Sequence, residues 1–138
     1  MLKKSIITIL IIVFFLCIYA ENSKPIFSGY AKNFEVYQSR GSISSAIKNC
    51  TALDMLFMRK VQGEGCKVSE SEFDLELFLS DFNAKIVFIE QVDGITSYYA
   101  YSPKVKYLEN IGERVVNLHV AVSGEQVTLG SPIIYGSF

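Results

Sequence analysis

The first twenty residues constrain this chain most, because two lysines precede an unbroken apolar run. Lys3 and Lys4 form a positive n-region, an apolar h-region follows, and Ala20 is a small residue at which a signal peptidase could cut. This pattern predicts a signal peptide over residues 1–20. The alternative is an uncleaved anchor, which the bulky Ile18 favours because the third position before a cut is usually small.

An export segment places the rest of the chain outside the cytoplasm, either secreted or anchored in the membrane. Its removal takes away two of the 13 basic side chains and none of the 14 acidic ones, which leaves a net charge of −3. We expect the membrane to be contacted only through this segment, if it stays uncleaved. The acidic remainder argues against nucleic-acid binding, which requires cationic side chains against phosphates.

The remaining chain has the length of one ordinary domain. Residues 21–29 carry Pro, Gly and Ser without periodicity and are predicted to be a tether, so the single domain covers 30–138. Alternating apolar residues predict strands over 30–36 and 59–68. Residues 43–50 fit either a helix face or a strand, and their β-branched side chains favour a strand.

One clear helix follows the strand predicted at 59–68. Ser69 and Glu72 are spaced as a capping box, and Asn83 is a natural left-handed residue after the last turn. Four apolar side chains fall on one helix face: Leu75, Phe78, Leu79 and Phe82. The acidic residues around the start are explained by the helix dipole rather than by paired catalytic carboxylates.

Two hairpins complete the predicted sheet. The Asp-Gly pair at 93–94 favours a type I′ turn, which sets Phe88 opposite Tyr99 and Ile86 opposite Tyr101.

The second hairpin turns at 124–125, which sets Val122 opposite Val127 and Val120 opposite Leu129. The other face of this hairpin carries polar side chains and is expected to be half solvated: Asn117, His119 and Thr128. With the helix packed on one face of an antiparallel sheet, the pattern predicts an α+β domain.

No catalytic constellation is evident in the sequence. Cys50 and Cys66 could form a disulfide outside the cytosol, or they could be two independent buried thiols. An alternative function is a thiol-dependent enzyme or redox protein that uses these cysteines with His119 as the base. Because His119 is the only histidine, a multi-histidine metal site is excluded, and no cofactor motif is present. We therefore expect a protein that is not an enzyme.

Tyrosine is concentrated in the first hairpin and just after it. Tyr99 and Tyr101 are predicted to lie in the sheet core. Tyr98 and Tyr107 are candidates for an interaction surface, because tyrosine suits places that are half apolar and half wet.

Several short segments, in one order along the chain, resemble the C-terminal half of the YwmB-like family. They are Gly63-Glu64, Phe82-Asn83-Ala84-Lys85, Tyr99-Ala100-Tyr101-Ser102-Pro103, Asn117-Leu118-His119-Val120-Ala121-Val122 and Gly130-Ser131-Pro132-Ile133-Ile134. The resemblance implies an exported protein of a spore-forming Gram-positive bacterium. It also implies a fold like half of the TATA-box-binding-protein saddle, with helices on the convex face of a curved antiparallel sheet. No biochemical role is established for the family, so no active-site residue follows from it.

A half-saddle would leave one edge of its sheet unpaired. Unpaired edges are usually covered or completed by another chain. We therefore expect a homodimer or a complex with another protein of the cell envelope. Together these expectations describe a non-catalytic, extracytoplasmic binding or assembly module.

Overall fold

This computed structural model describes residues 2–39 and 46–135. The helices are α1 (Leu2–Asn22), α2 (Ala52–Phe57) and α3 (Leu75–Asp81), with a 3₁₀ turn at Glu70–Glu72 before α3. The strands are β1 (Phe34–Tyr37), β2 (Ala46–Cys50), β3 (Gly63–Ser69), β4 (Lys85–Val92), β5 (Ile95–Tyr101), β6 (Glu109–Ile111), β7 (Arg114–Val116), β8 (Leu118–Ser123) and β9 (Gln126–Ser131).

Seven of the strands form one antiparallel sheet in the order β2-β1-β3-β9-β8-β5-β4, while β6 and β7 form a separate hairpin. The fold is therefore α+β, as predicted. Because side chains alternate along a strand, the sheet has two faces. We call the one that carries Cys66, Val120 and Leu129 the core face, and Phe78 of α3 belongs to the same buried cluster. We call the opposite one the second face.

Helix α1 matches the predicted export segment. Residues Lys3–Asn22 are long and apolar enough to cross a membrane, and none of this stretch is buried in the protein. Length and composition are equally compatible with a signal sequence and with an anchor.

The packed domain begins earlier in the chain than the sequence indicated. Phe27, inside the predicted tether, is 0 % exposed, and its ring lies 6.3 Å from that of Phe78 and 6.2 Å from that of Phe82. The Tyr30 hydroxyl donates a hydrogen bond to Asp81 at 2.6 Å. The N-terminal segment is thus part of the core. The sequence does not indicate this, because a single aromatic residue with no apolar periodicity around it gives no sign of burial.

The N-terminal cap of helix α3 lies five residues after the predicted one. Ser69 makes no capping hydrogen bond, because it remains the last residue of β3 and a 3₁₀ turn follows it. The helix is capped instead by Asp74, whose carboxylate accepts a hydrogen bond from the Leu77 N–H at 2.9 Å. At the other end Asn83 has φ 48°, which confirms the predicted left-handed residue.

The β4–β5 hairpin has the predicted turn and most of the predicted register. Phe88 lies opposite Tyr99, as expected. A register shift between Ile86 and Phe88 then places Ile86 opposite Ala100 rather than Tyr101. Such a β-bulge inserts one extra residue, which the alternation of apolar residues does not reveal.

The β8–β9 hairpin has the predicted pairs, but its polar face is buried. Asn117, His119 and Thr128 are all at most 6 % exposed, so the expected half-solvated face is wrong. The physical reason is the chain after β9, which folds back over the second face. There the Ile134 N–H donates a hydrogen bond to His119 Nδ1 at 3.2 Å.

The remaining differences concern short elements. The strand favoured for 43–50 is present as β2 over its described part, and residues 43–45 lie outside the described residues. The strands predicted at 30–36 and 59–68 are present as β1 and β3, with shifted starts. Helix α2 and the β6–β7 hairpin were not predicted, because neither is long enough to show a period.

Candidate functional site

The structure does not bring the cysteines and His119 together. Cys66 lies opposite Leu129 on the core face, whereas His119 lies opposite Gly130 on the second face, so the sheet separates the thiol from the imidazole. Burial raises the pKa of Cys66 to about 12 and lowers the pKa of His119 to about 4. Both groups are therefore neutral near pH 7, and a reactive cysteine requires a thiolate.

Cys50 and Cys66 are both buried and do not form a disulfide in this fold. Strand β1 lies between β2, which carries Cys50, and β3, which carries Cys66. Two strand spacings amount to about 10 Å, whereas the Cα atoms of a disulfide lie at most about 7 Å apart. A bridge between them would require the sheet to open.

Glu64, in β3, carries a buried carboxyl. It is 1 % exposed and accepts a hydrogen bond from the Phe27 N–H at 3.0 Å. Burial raises its pKa to about 7, although the Phe27 and Ile26 N–H groups and the charge of Lys106 oppose that rise. Glu64 therefore fixes the N-terminal segment to β3, across 37 residues of sequence.

The sequence offered one indirect signal of this role. Glu64 stands between Gly63 and Gly65 inside a strand, and all three residues are buried. A Cβ on Gly65 would lie 2.6 Å from the Tyr37 hydroxyl oxygen and 2.9 Å from the Leu129 carbonyl oxygen. The glycines are required by close packing on the second face, which is the side of the sheet opposite to the Glu64 carboxyl.

A small cavity of about 190 Å³ lies beside Glu64. Its wall includes Lys24, Met55, Lys106 and Tyr107. A water molecule takes about 30 Å³, and pockets for small organic ligands begin near about 300 Å³. The cavity therefore has room for a few waters or a small ion rather than for a metabolite.

The two tyrosines predicted as an interaction surface lie in different surroundings. Tyr107 is half-buried in the wall of the Glu64 cavity, where burial and then the charge of Glu64 raise its pKa to about 12. Tyr98 is half-buried, packs against the core and lies opposite Ile89 of β4. A partner contact by either tyrosine stays a prediction.

The second face carries a row of stacked rings across three strands. The rings of Phe88 and Tyr99 are 4.3 Å apart, and those of Tyr99 and His119 are 4.2 Å apart, both nearly parallel. The Arg114 guanidinium caps the row, 5.0 Å from the Phe88 ring centre. Tyr99 is thus half-buried in this stack, whereas Tyr101, also predicted to be core, is exposed. The stack fixes β4 to β5 and β8.

The edge strand β4 is the candidate interface. It ends the sheet and, among the described strands, has only β5 beside it in the sheet. Ile86, Val87, Ile89 and Val92 are all exposed along its length, up to 63 % for Val92. A long apolar strand with one free hydrogen-bonding side is a template for another strand.

These features are interpreted from their geometry alone, because no family model, no curated protein and no solved structure matches this chain. The resemblance to the YwmB-like family stays a prediction from the short segments that carry it.

Proposed function

We propose that the protein is a non-catalytic binding module of the cell envelope, held outside the cytoplasm by α1, which associates with a second copy of itself through β4. The observation that carries the proposal is the exposed apolar edge of β4. Export is supported by Lys3 and Lys4, which precede the apolar helix as basic residues do on the cytoplasmic side of a membrane.

In a single copy of the domain, the edge of β4 leaves backbone groups unpaired and apolar side chains exposed. The backbone groups on its outer side lack a neighbouring strand in the sheet, and four of its apolar side chains are exposed, whereas Phe88 is half-buried beneath Arg114 of β7. A strand added at this edge would pair those backbone groups and remove the apolar side chains from water. Natural proteins usually blunt such an edge with bulges and charges, and β4 keeps four exposed apolar side chains beside its bulge, which supports a partner at this edge.

The bulge in β4 makes the strand complementary to itself. It places Ile86 and Ile89 on the core face, opposite Ala100 and Tyr98. In a two-fold antiparallel pairing centred on the bulge, Ile86 of one copy would oppose Ile89 of the other.

The charged residues of β4 follow the same symmetry. Lys85 and Glu90 both lie on the second face, opposite Tyr101 and Ser97. In the same two-fold pairing Lys85 of each copy would oppose Glu90 of the other. Cross-strand pairs of opposite charge stabilise a sheet, and like charges in the same places destabilise it.

A charge swap tests this pairing. We expect Lys85→Glu and Glu90→Lys each to weaken self-association by about tenfold, since each change creates two like-charge pairs across the two-fold axis. The variant that carries both changes restores the opposite charges and should associate like the unaltered protein. The measurement is analytical ultracentrifugation of the full chain in detergent micelles.

Two matched controls carry the same charge changes away from β4. Lys32→Glu and Glu125→Lys alter exposed side chains outside this strand and should leave association unchanged. If the single β4 variants associate as the controls do, or if the double variant fails to recover, the proposed pairing is wrong.

A further inference from the structure

Helix α2 is apolar on the side that faces away from the domain. Leu53 and Phe57 are one helical turn apart, and they are 71 % and 78 % exposed. No other large apolar side chain among the described residues is as exposed, including those of α1. On the other side of the helix Met55 is buried in the core cluster. The helix is thus held by the domain while presenting a second apolar surface outward.

Helix α2 itself lies next to the end of α1. The Tyr19 hydroxyl donates a hydrogen bond to the Leu56 carbonyl oxygen at 2.8 Å. Tyr19 belongs to the last turn of the stretch that could cross a membrane, Lys3–Asn22. Tyrosine in such a turn typically lies at the level of the lipid headgroups. The hydrogen bond therefore places α2 at that same level.

The residues that follow α2 carry charges suited to a lipid surface. Arg59 and Lys60 are exposed and come directly after the helix and its cap. Helices that lie in a membrane interface combine an apolar side with basic residues at their border, since these bind anionic headgroups.

We propose that α2 is a second membrane contact, with Leu53 and Phe57 inserted into the interfacial layer of the bilayer and Arg59 and Lys60 against its phosphates. The contact goes beyond the β4 pairing, although it rests on the part of the proposed function that places α1 in a membrane. It departs from the expectation that the membrane is touched only through residues 1–20.

The absence of tryptophan from the chain allows a direct test. Phe57→Trp introduces a single fluorescent probe into the full chain, reconstituted in vesicles of phosphatidylcholine and phosphatidylglycerol. With brominated acyl chains, which quench tryptophan on contact, we expect its emission to fall by roughly half, as for a side chain buried in the acyl boundary. Leu53→Trp provides a second probe on the same surface.

Two further variants serve as references. Phe14→Trp lies within the apolar stretch of α1 and should be quenched, whereas Leu77→Trp, on the exposed side of α3, should not. If Phe14→Trp is quenched and both α2 probes emit like Leu77→Trp, α2 lies in water and the inference is overturned. If Phe14→Trp escapes quenching as well, α1 is outside the bilayer, and the membrane-held part of the proposed function fails together with this inference. The charge swap in β4 does not depend on either result.

Discussion

The carboxyl of Glu64 makes the stability of the domain depend on pH in an uncommon direction. Its pKa rises from 4.5 to about 7 on folding, so the folded protein holds a proton that the unfolded chain has already lost. The buried His119, whose pKa is lowered from 6.5 to about 4, acts in the opposite direction and destabilises the folded state as the pH falls through the same range. The Glu64 contribution to stability is complete below about pH 4.5 and is lost as the pH rises towards 7, a loss on the order of 3 kcal/mol.

Glu64→Gln should remove most of this dependence. The amide keeps an acceptor for the Phe27 N–H and mimics the protonated acid. Between pH 4.5 and 7 we therefore expect the free energy of unfolding of the unaltered protein to fall by about 3 kcal/mol relative to that of the variant, because the titration of His119 affects both proteins equally. Urea unfolding of the full chain in micelles, repeated across that range, measures the effect. Glu125→Gln, at an exposed turn, should retain the slope of the unaltered protein. Parallel profiles of the unaltered protein and the Glu64 variant would show that Glu64 titrates normally.

The burial of Glu64 could not have been predicted from its sequence neighbours. What surrounds the carboxyl is the segment at Ile26 and Phe27, which comes from the other end of the domain. A pair of glycines around one acidic residue predicts close backbone packing, but it does not say what packs there. The same limit applies to His119, which is buried by residues after β9 rather than by its own strand.

Among the secondary-structure elements, the position of the α3 cap can be tested by comparing the stabilities of two variants. Asp74→Ala removes the side chain that accepts the Leu77 N–H hydrogen bond, and we expect it to destabilise the domain by about 1 kcal/mol. Ser69→Ala, at the cap that the sequence predicted, should change the stability by much less. Thermal unfolding followed by circular dichroism compares the two variants. Equal losses of stability in the two variants would contradict the assignment of Asp74 as the cap.

The elements that the sequence predicted well are those fixed by local turns. Asp93 and Gly94 both have positive φ, and Gly124 does as well, so each hairpin has its pairing decided by residues inside the turn. The bulge near Ile86 is different, because one inserted residue leaves no mark on composition. Helix α2 is only six residues long, which is less than two turns and too short for an apolar period to appear.

For the molecule as a whole, Phe27 joins α1 to the core. Its ring packs with Phe78 and Phe82, so we expect Phe27→Ala to lower the free energy of unfolding by roughly 3–5 kcal/mol. Leu77→Ala truncates an exposed side chain of α3 and should have little effect. Hydrogen exchange of the amides at 26–31 should also become faster in the Phe27 variant. Unchanged stability would mean that the N-terminal segment is dispensable for the core.

The anchoring of Phe27 also limits where the domain can travel. Only residues 23–26 separate the end of α1 from the buried ring, and so short a segment spans at most about 14 Å. With α1 in a bilayer, every copy is confined to the same thin layer above the lipid. Two copies then search for each other by lateral diffusion in a plane, where their effective concentration is far higher than in free solution. An edge contact too weak to form a dimer in solution would be sufficient there.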